Sequence, residues 1–265
     1  MVIPLCNSSR QKNPENITQV LTDATLYLIS TISQYNVPIF LLVNSDQTGV
    51  KYSSGALETY AKTGSKQVEV IGKAKQQAFK LMVGISMSGE VLPFQAIYAE
   101  KTSGLLPTSN ALNYKKAVEE LEFCFESSGN DNYWSTITTM QSYVTNILVP
   151  YFELHHKQLN LSNQLCIWQI DCWSVHKLLE FCSWMQKHYP WIQIHYIPAN
   201  CTGLFQSCDV GIQQILKLAI KWTVLKDIVD DTIKQMNAGV EPSKVVFKKR
   251  LPVVVTNWIL KGSSE

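Results

Sequence analysis

The apolar run QLCIWQID, residues 164 to 171, constrains this chain more than any other stretch. Too short for a buried helix, it reads as a fully buried strand with helical patterns on both sides. Upstream, MQSYVTNILVPYFELHHKQL places Val144, Ile147, Leu148, Tyr151 and Phe152 on one helical face, with Pro150 as an expected kink. Downstream, SVHKLLEFCSWMQKHYP reads as a helix stopped by Pro190, and WIQIHYIPA as another strand. Strands separated by helices belong to a sheet with parallel neighbours and helices on its faces. The run also ends on a carboxylate, Asp171, which is costly to bury unless compensated.

The remaining elements extend this pattern. NPENITQVLTDATLYLISTISQYNVP predicts an amphipathic helix that opens at Asn13-Pro14-Glu15 and closes at Pro38. Residues 39 to 43 then predict a short buried strand that runs into the turn-forming Asn44 to Gly49, which would put Asp46 just beyond its end. AFKLMVGISM and VLPFQAIYAE, separated by Ser88-Gly89-Glu90, predict a hairpin. Residues 103 to 135 read as an insertion with one helix around KKAVEELEF. From Asp209 a long helical pattern carries Ile212, Ile215, Leu216, Ala219, Trp222 and Leu225 on one side. The expected order is helix, three strands, helix, strand, helix, strand, helix. That defines an α/β chain with a mixed five-stranded sheet and helices on both faces. It divides into a helical lead-in (1–38), a main domain (39–235) and a tail (236–265).

Composition narrows the class. The 46% hydrophobic content supports a substantial core, and a net charge of +2 carries no global nucleic-acid signature, so any basic surface is local. Seven cysteines without CxxC or zinc spacing suit a reducing compartment, and His155 and His156 do not form a zinc pattern with Cys201 or Cys208. No signal peptide opens the chain and no run is long enough for a membrane span, so a soluble intracellular protein is expected.

Three aspartates stand at comparable places: Asp46 after the first strand, Asp171 at the end of the fourth, and Asp209 after the fifth. Open α/β sheets gather functional residues at the carboxyl ends of parallel strands. Converged carboxylates repel unless a cation sits among them, and an oxygen-only ligand set favours Mg²⁺ or Mn²⁺. A pair of such ions supports in-line phosphoryl displacement. Taken singly, each acid has a plainer reading: Asp46 as a turn residue, Asp171 and Asp209 as helix N-caps.

Five blocks bear on that choice. VNSDQTGV, GSKQVEVIG, LMVGISMSGEVLPFQAIYAEKT, WQIDCWSVHK and IPANCTGLFQSCDVGIQ, in this order, resemble the DDE-type transposase catalytic domain of the pogo/mariner superfamily. The resemblance implies an RNase H-like fold whose acids bind two Mg²⁺ or Mn²⁺ ions, cut DNA at transposon ends and join them to a target. By position Asp46, Asp171 and Asp209 match the three acids. The last two lie 38 positions apart, as in the all-aspartate branch. Relatives often read Asp-Glu-Thr at the first acid where this chain has Asp46-Gln47-Thr48, which leaves the acid in place. His176 falls where relatives often carry histidine, toward the active site or a scissile phosphate, although a structural hydrogen bond explains a helix-face histidine equally well.

Lys217 and Lys221, an i, i+4 pair, are candidates for phosphate contact, as are Lys66, Lys73, Lys75 and Lys101 near the first strands; the bland reading of each is a solvated face. Trp168, Trp173 and Trp184 are expected in the core. Lys248-Lys249-Arg250 is too short to identify a nuclear signal. The resemblance implies DNA as partner, a homodimer as in related transposases, and a nuclear location. Relatives carry helix-turn-helix modules ahead of the catalytic domain, whereas about one helix precedes the first strand here, so a catalytic core without its targeting module is expected. The alternative is a non-catalytic nucleic-acid or protein interaction domain derived from a transposase.

Overall fold

The computed structural model describes residues 16–51, 78–99, 106–107, 109–110, 114–130, 132, 134–172, 178–199 and 201–241. Helix α1 (Ile17–Tyr35) ends at Asn36, whose left-handed backbone (φ 48°) lets Val37 N–H return to Ile32 C=O before Pro38 stops the helix. A 3₁₀ turn (Ile39–Leu41) leads into β1 (Leu42–Lys51), followed by β2 (Ala78–Ser86), β3 (Gln95–Tyr98) and β4 (Cys124–Ser127). Then come α2 (Ile137–Tyr143), α3 (Val149–Leu159), β5 (Cys166–Asp171), α4 (Leu179–His188), β6 (Ile192–Ile197), the short α5 (Thr202–Phe205) and the long α6 (Gln213–Asn237).

The six strands form one sheet in the order β4-β3-β2-β1-β5-β6. β1, β2 and β3 pair antiparallel, while β1 with β5, β5 with β6 and β3 with β4 run parallel. An antiparallel meander continued by parallel strands on the far side of β1 is the RNase H-like arrangement. The expected five strands become six because β4 lies inside the stretch read as an insertion. Only four residues long and half-buried throughout, it lacks the periodicity that would mark a strand.

Several elements differ from the sequence expectation. β1 runs on through Asn44 to Gly49, because ladder pairing with Met82, Leu81 and Lys80 outweighs the turn preference of those residues. The helix expected at KKAVEELEF contracts to one π-helical turn after a short lead-in, Lys116–Glu120. The kink expected at Pro150 is a π-helical turn just before it, Val144–Leu148, so α2 and α3 form one irregular rod. Leu216, Ala219 and Ile220 of α6 are buried, whereas Ile215, Trp222 and Leu225 face outward, so its apolar residues split into two faces.

The sheet separates two cores, and β2 shows how: Met82 packs on one side with Val43, Tyr143 and Trp168, while Phe79, Leu81 and Val83 pack on the other with Leu216 and Ile220. Trp168 is fully buried and Trp184 packs against the first core; Trp173 lies outside the described residues. Among the described residues no helix is long and apolar enough to cross a membrane.

Gly84 on β2 sits where that first core is tightest. A Cβ there would come within 2.6 Å of the Tyr143 hydroxyl and 3.2 Å of Ser45 Oγ, which are themselves hydrogen-bonded at 2.9 Å. Gly84→Ala is therefore expected to cost about 1 to 3 kcal/mol through overpacking, measured as a lower urea midpoint with unchanged slope.

Candidate active site

Asp46 lies within β1, opposite Val83 of β2, rather than beyond the strand end. On its other side the parallel pairing with β5 stops at Asn44 and Gln169. Continued by two residues, that register sets Asp46 beside Asp171, the last residue of β5. The two acids thus stand where β1 and β5 part. All three aspartates are half-buried. Asp171 is not the N-cap of α4, which begins at Leu179 with Leu178 in that position.

The third acid is carried to β1 by the chain after β6. Residues 208–212 form a π-helical turn that feeds directly into α6, with Asp209 in its first turn and Ser207, not Asp209, at the N-cap. Three contacts pin this segment to β1. Gln206 Nε2 donates to Ser45 C=O at 3.1 Å, Cys208 N–H donates to Asn44 Oδ1 at 2.9 Å, and Gln213 Nε2 donates to Asp46 Oδ2 at 2.5 Å. Residues on both sides of Asp209 are therefore bonded to consecutive residues of β1. Asn44 Nδ2 also reaches Gln169 Oε1 at 3.3 Å, which joins β5 to the same network. Behind β1, Ser45 Oγ receives Trp168 Nε1–H at 3.1 Å, so the strand is fixed from both faces.

The electrostatics follow from this convergence. Burial, and then the charges of Asp209 and Asp171, raise the Asp46 carboxyl to about 6, against hydrogen bonds from the Gln47 backbone and Gln213. A cation is the usual remedy for such mutual repulsion, and the donors are all hard oxygens suited to Mg²⁺ or Mn²⁺. In this protein-only arrangement no group of three or more His, Cys, Asp or Glu among the described residues stands as a ready-made ligand set. The chemistry of the donors fits divalent ions.

Two cations border the acids. Lys217 Nζ donates to Gln213 Oε1 at 3.4 Å, so the chain Lys217, Gln213, Asp46 links α6 to β1. Lys80 on β2 was not among the candidates read from the sequence. Its ammonium lies 4.5 Å above the Trp134 ring; burial lowers its pKa, and the charges of Asp46 and Asp171 oppose that shift. Lys221, one turn beyond Lys217, is exposed. His176, Lys66, Lys73, Lys75 and Lys101 lie outside the described residues. His155 bonds Glu90 and His156 bonds Gln164 C=O, so both histidines serve structural contacts.

The RNase H-like sheet thus carries the three aspartates near the parting of its central strands. A family model described as DDE superfamily endonuclease matches residues 75–259, which takes in Asp171 and Asp209 and begins after β1. The chain belongs to the DDE superfamily of endonucleases. Among solved structures it is similar to the Mos1 transposase paired-end complex with left transposon end, at 10% identity and TM-score 0.48, over 83% of this chain and 53% of that one. It is also similar to the Mos1 strand transfer complex, at 10% identity and TM-score 0.49, over 98% of this chain and 57% of that one. A Mos1 mariner paired-end complex with Mn matches at 9% identity and TM-score 0.43, over 76% of this chain and 48% of that one. The chain thus spans about half the length of these transposase chains.

Proposed function

We propose that this chain is a transposase-derived catalytic domain that cleaves DNA phosphodiester bonds with divalent metal ions and transfers the strand end. The observation that carries this reading is the tethering of the Asp209 segment to β1 at Asn44, Ser45 and Asp46, which brings the third acid to the other two. Asp46, Asp171 and Asp209 would hold Mg²⁺ or Mn²⁺. Such ions, when bound, polarise the scissile phosphate and lower the pKa of an attacking water or 3′ hydroxyl. The chain's part is to hold the carboxylates ionised and fixed. Gln213 and the Gln47 N–H favour the charged form of Asp46, and the rigid β1 to β5 seam sets the spacing. Lys217 and Lys80 suit phosphate contacts that position a backbone without reading its sequence. A nuclear location accords with a DNA substrate.

A second reading, a non-catalytic interaction domain, draws on the lack of a preassembled metal-ligand group among the described residues. Three mutually repelling carboxylates are difficult to reconcile with a purely binding role. The two readings separate in a supercoiled-plasmid assay with Mn²⁺ or Mg²⁺. The wild-type chain should relax the plasmid by nicking, and Asp171→Asn or Asp209→Asn should reduce nicking by at least ~10³-fold with unchanged circular dichroism. Equal nicking by wild type and the triple Asp46, Asp171, Asp209→Asn variant would assign the activity to a contaminant and remove the catalytic reading.

A further inference from the structure

Trp134 is 48% exposed, yet its backbone is fixed on both sides. A single exposed apolar residue is ordinary, so the support around this one is what sets it apart. Ahead of it, Trp134 N–H donates to Asn132 Oδ1 at 3.1 Å. Ser128 Oγ donates to Asn132 C=O, and Ser128 N–H donates to Tyr98 C=O of β3 at 2.9 Å. Behind it, the buried Ser135 leads into Thr136, which exchanges capping bonds with Thr139 at the start of α2. That first turn is bound to the sheet: Gln95 Nε2 donates to Thr139 C=O at 2.9 Å, and Gln47 Nε2 donates to Met140 Sδ at 3.5 Å. Gln47 follows Asp46, so the strand that carries the first acid also holds the support of Trp134.

Lys80 joins the ring to the same strand. It lies opposite Gly49 in the β1–β2 ladder, and its ammonium stands 4.5 Å from the Trp134 ring centroid. Gly49 puts no side chain between Lys80 and the outer edge of β1. The pairing of β1 with β5 ends at Asn44, so among the described residues no strand lies beside β1 from Gln47 onward on that edge. A DNA strand laid on the acids can continue along this edge to Lys80 and Trp134. The path from Asp46 to Gly49 is about 10 Å along an extended chain, which sets the ring against a neighbour of the scissile nucleotide.

We propose that Lys80 and Trp134 bind one unpaired nucleotide beside the scissile phosphate, the ammonium taking its phosphate and the indole face stacking on its base. This rests on the reading of the chain as a DNA-cleaving domain. The ring attracts the ammonium only through its quadrupole, whereas a phosphate offers a full charge and charge-assisted hydrogen bonds. An arriving phosphate therefore draws Lys80 from the ring, and the face it covered opens to the base. A base inside a duplex is already stacked on its neighbours, so the ligand is a nucleotide in a single-stranded flank or one unstacked from the helix. Every base has a π face, so the pair selects the state of the strand next to the cut and not its sequence.

Fluorescence anisotropy tests this with a labelled oligothymidine and a blunt duplex of equal length, in Mg²⁺ at several salt concentrations, with probe integrity checked on a gel. The wild-type chain should bind the single strand, and Trp134→Ala should weaken that binding at least ~5-fold, the loss expected for one stacked base, with duplex binding unchanged. Trp134→Phe should regain most of the loss. Trp134→Leu, which is apolar without an aromatic face, should not. Lys80→Gln should flatten the dependence of log Kd on log salt by about 0.7, the share of one phosphate, whereas Trp134→Ala should keep the wild-type slope. If Trp134→Ala does not fold by circular dichroism, the Phe and Leu variants decide. A wild type that does not bind the single strand overturns the proposal, as does equal single-strand affinity in wild type and Trp134→Leu, or an equal loss on both probes. An unchanged salt slope in Lys80→Gln overturns the phosphate contact. Binding needs no cleavage: a selective Trp134 loss without plasmid nicking removes the catalytic reading and keeps the nucleotide site, while nicking without a Trp134 effect does the reverse.

Discussion

Asp46→Asn is expected to stabilise the protein in the presence of a chelator while eliminating its nicking activity. The sign follows from the proton balance. In the folded chain Asp46 ionises near 6, held up by burial and by Asp209 and Asp171, against 3.8 for the unconstrained group. Between those values the folded state binds more protons than the unfolded state, so stability is lost as the pH rises through this window and the penalty is complete above the folded pKa. The asparagine variant escapes it. Its advantage over wild type should be near zero at pH 3.5 and reach about 1 to 3 kcal/mol at pH 7. Addition of Mg²⁺ or Mn²⁺ should reverse the ranking, because an ion bound only by the folded wild type stabilises it by mass action. Thermal melts of both proteins with and without divalent ion supply the comparison. A wild type unaffected by divalent ions, or an asparagine variant whose advantage over wild type is no greater at pH 7 than at pH 3.5, would argue against a cation site at Asp46.

The second large effect is expected at Asn44, which binds no ion in this account. It is 2% exposed and joins three parts of the site: its Oδ1 accepts from Cys208 N–H, its Nδ2 reaches Gln169, and its backbone C=O accepts from the Cys208 thiol at 3.3 Å. Asn44→Ala leaves the buried Cys208 N–H unpaired and removes one of the three contacts that pin the Asp209 turn to β1. The cost should be about 1 to 3 kcal/mol in stability. Nicking, measured well below the melting temperature, should fall at least ~10-fold as the Asp209 carboxylate loses its fixed position. Raised divalent concentration should restore part of it, in contrast to Asp46→Asn, which no concentration should rescue. Full activity in Asn44→Ala would mean that Asp209 is held by something other than this bond.

Of the three acids only Asp171 stands out by local pattern, at the end of an apolar run; Asp46 and Asp209 were singled out by their places after expected strands and by the resemblance of the blocks around them. Asp171 closes CIWQI, and that run is a strand buried along its length. The supporting shell was less visible. Asn44 and Ser45 sit in a stretch that reads locally as a turn, and only pairing with β2 makes them part of a strand. Gln213 lies one helical turn after Asp209, so its contact with Asp46 was accessible to helical spacing, but the choice of Gln213 over its neighbours needed the register of α6 on the sheet. Lys80 depends on the distant Trp134, which no local pattern connects to β2. The outward face of α6 shows another limit: a single list of apolar positions concealed two opposite stripes, and burial was needed to separate Leu216 from Ile215.

In the proposed function Asp46, Asp171 and Asp209 together form a divalent-cation site. Manganese binding tests it most directly, by titrating the protein with Mn²⁺ and following the free-ion signal by electron paramagnetic resonance. The wild-type chain with a nicked DNA duplex should take up two ions, and each single asparagine substitution should remove or greatly weaken at least one. Undiminished uptake by the triple asparagine variant would contradict the account, because the ions would then be held elsewhere and the convergence of the three carboxylates would have another purpose.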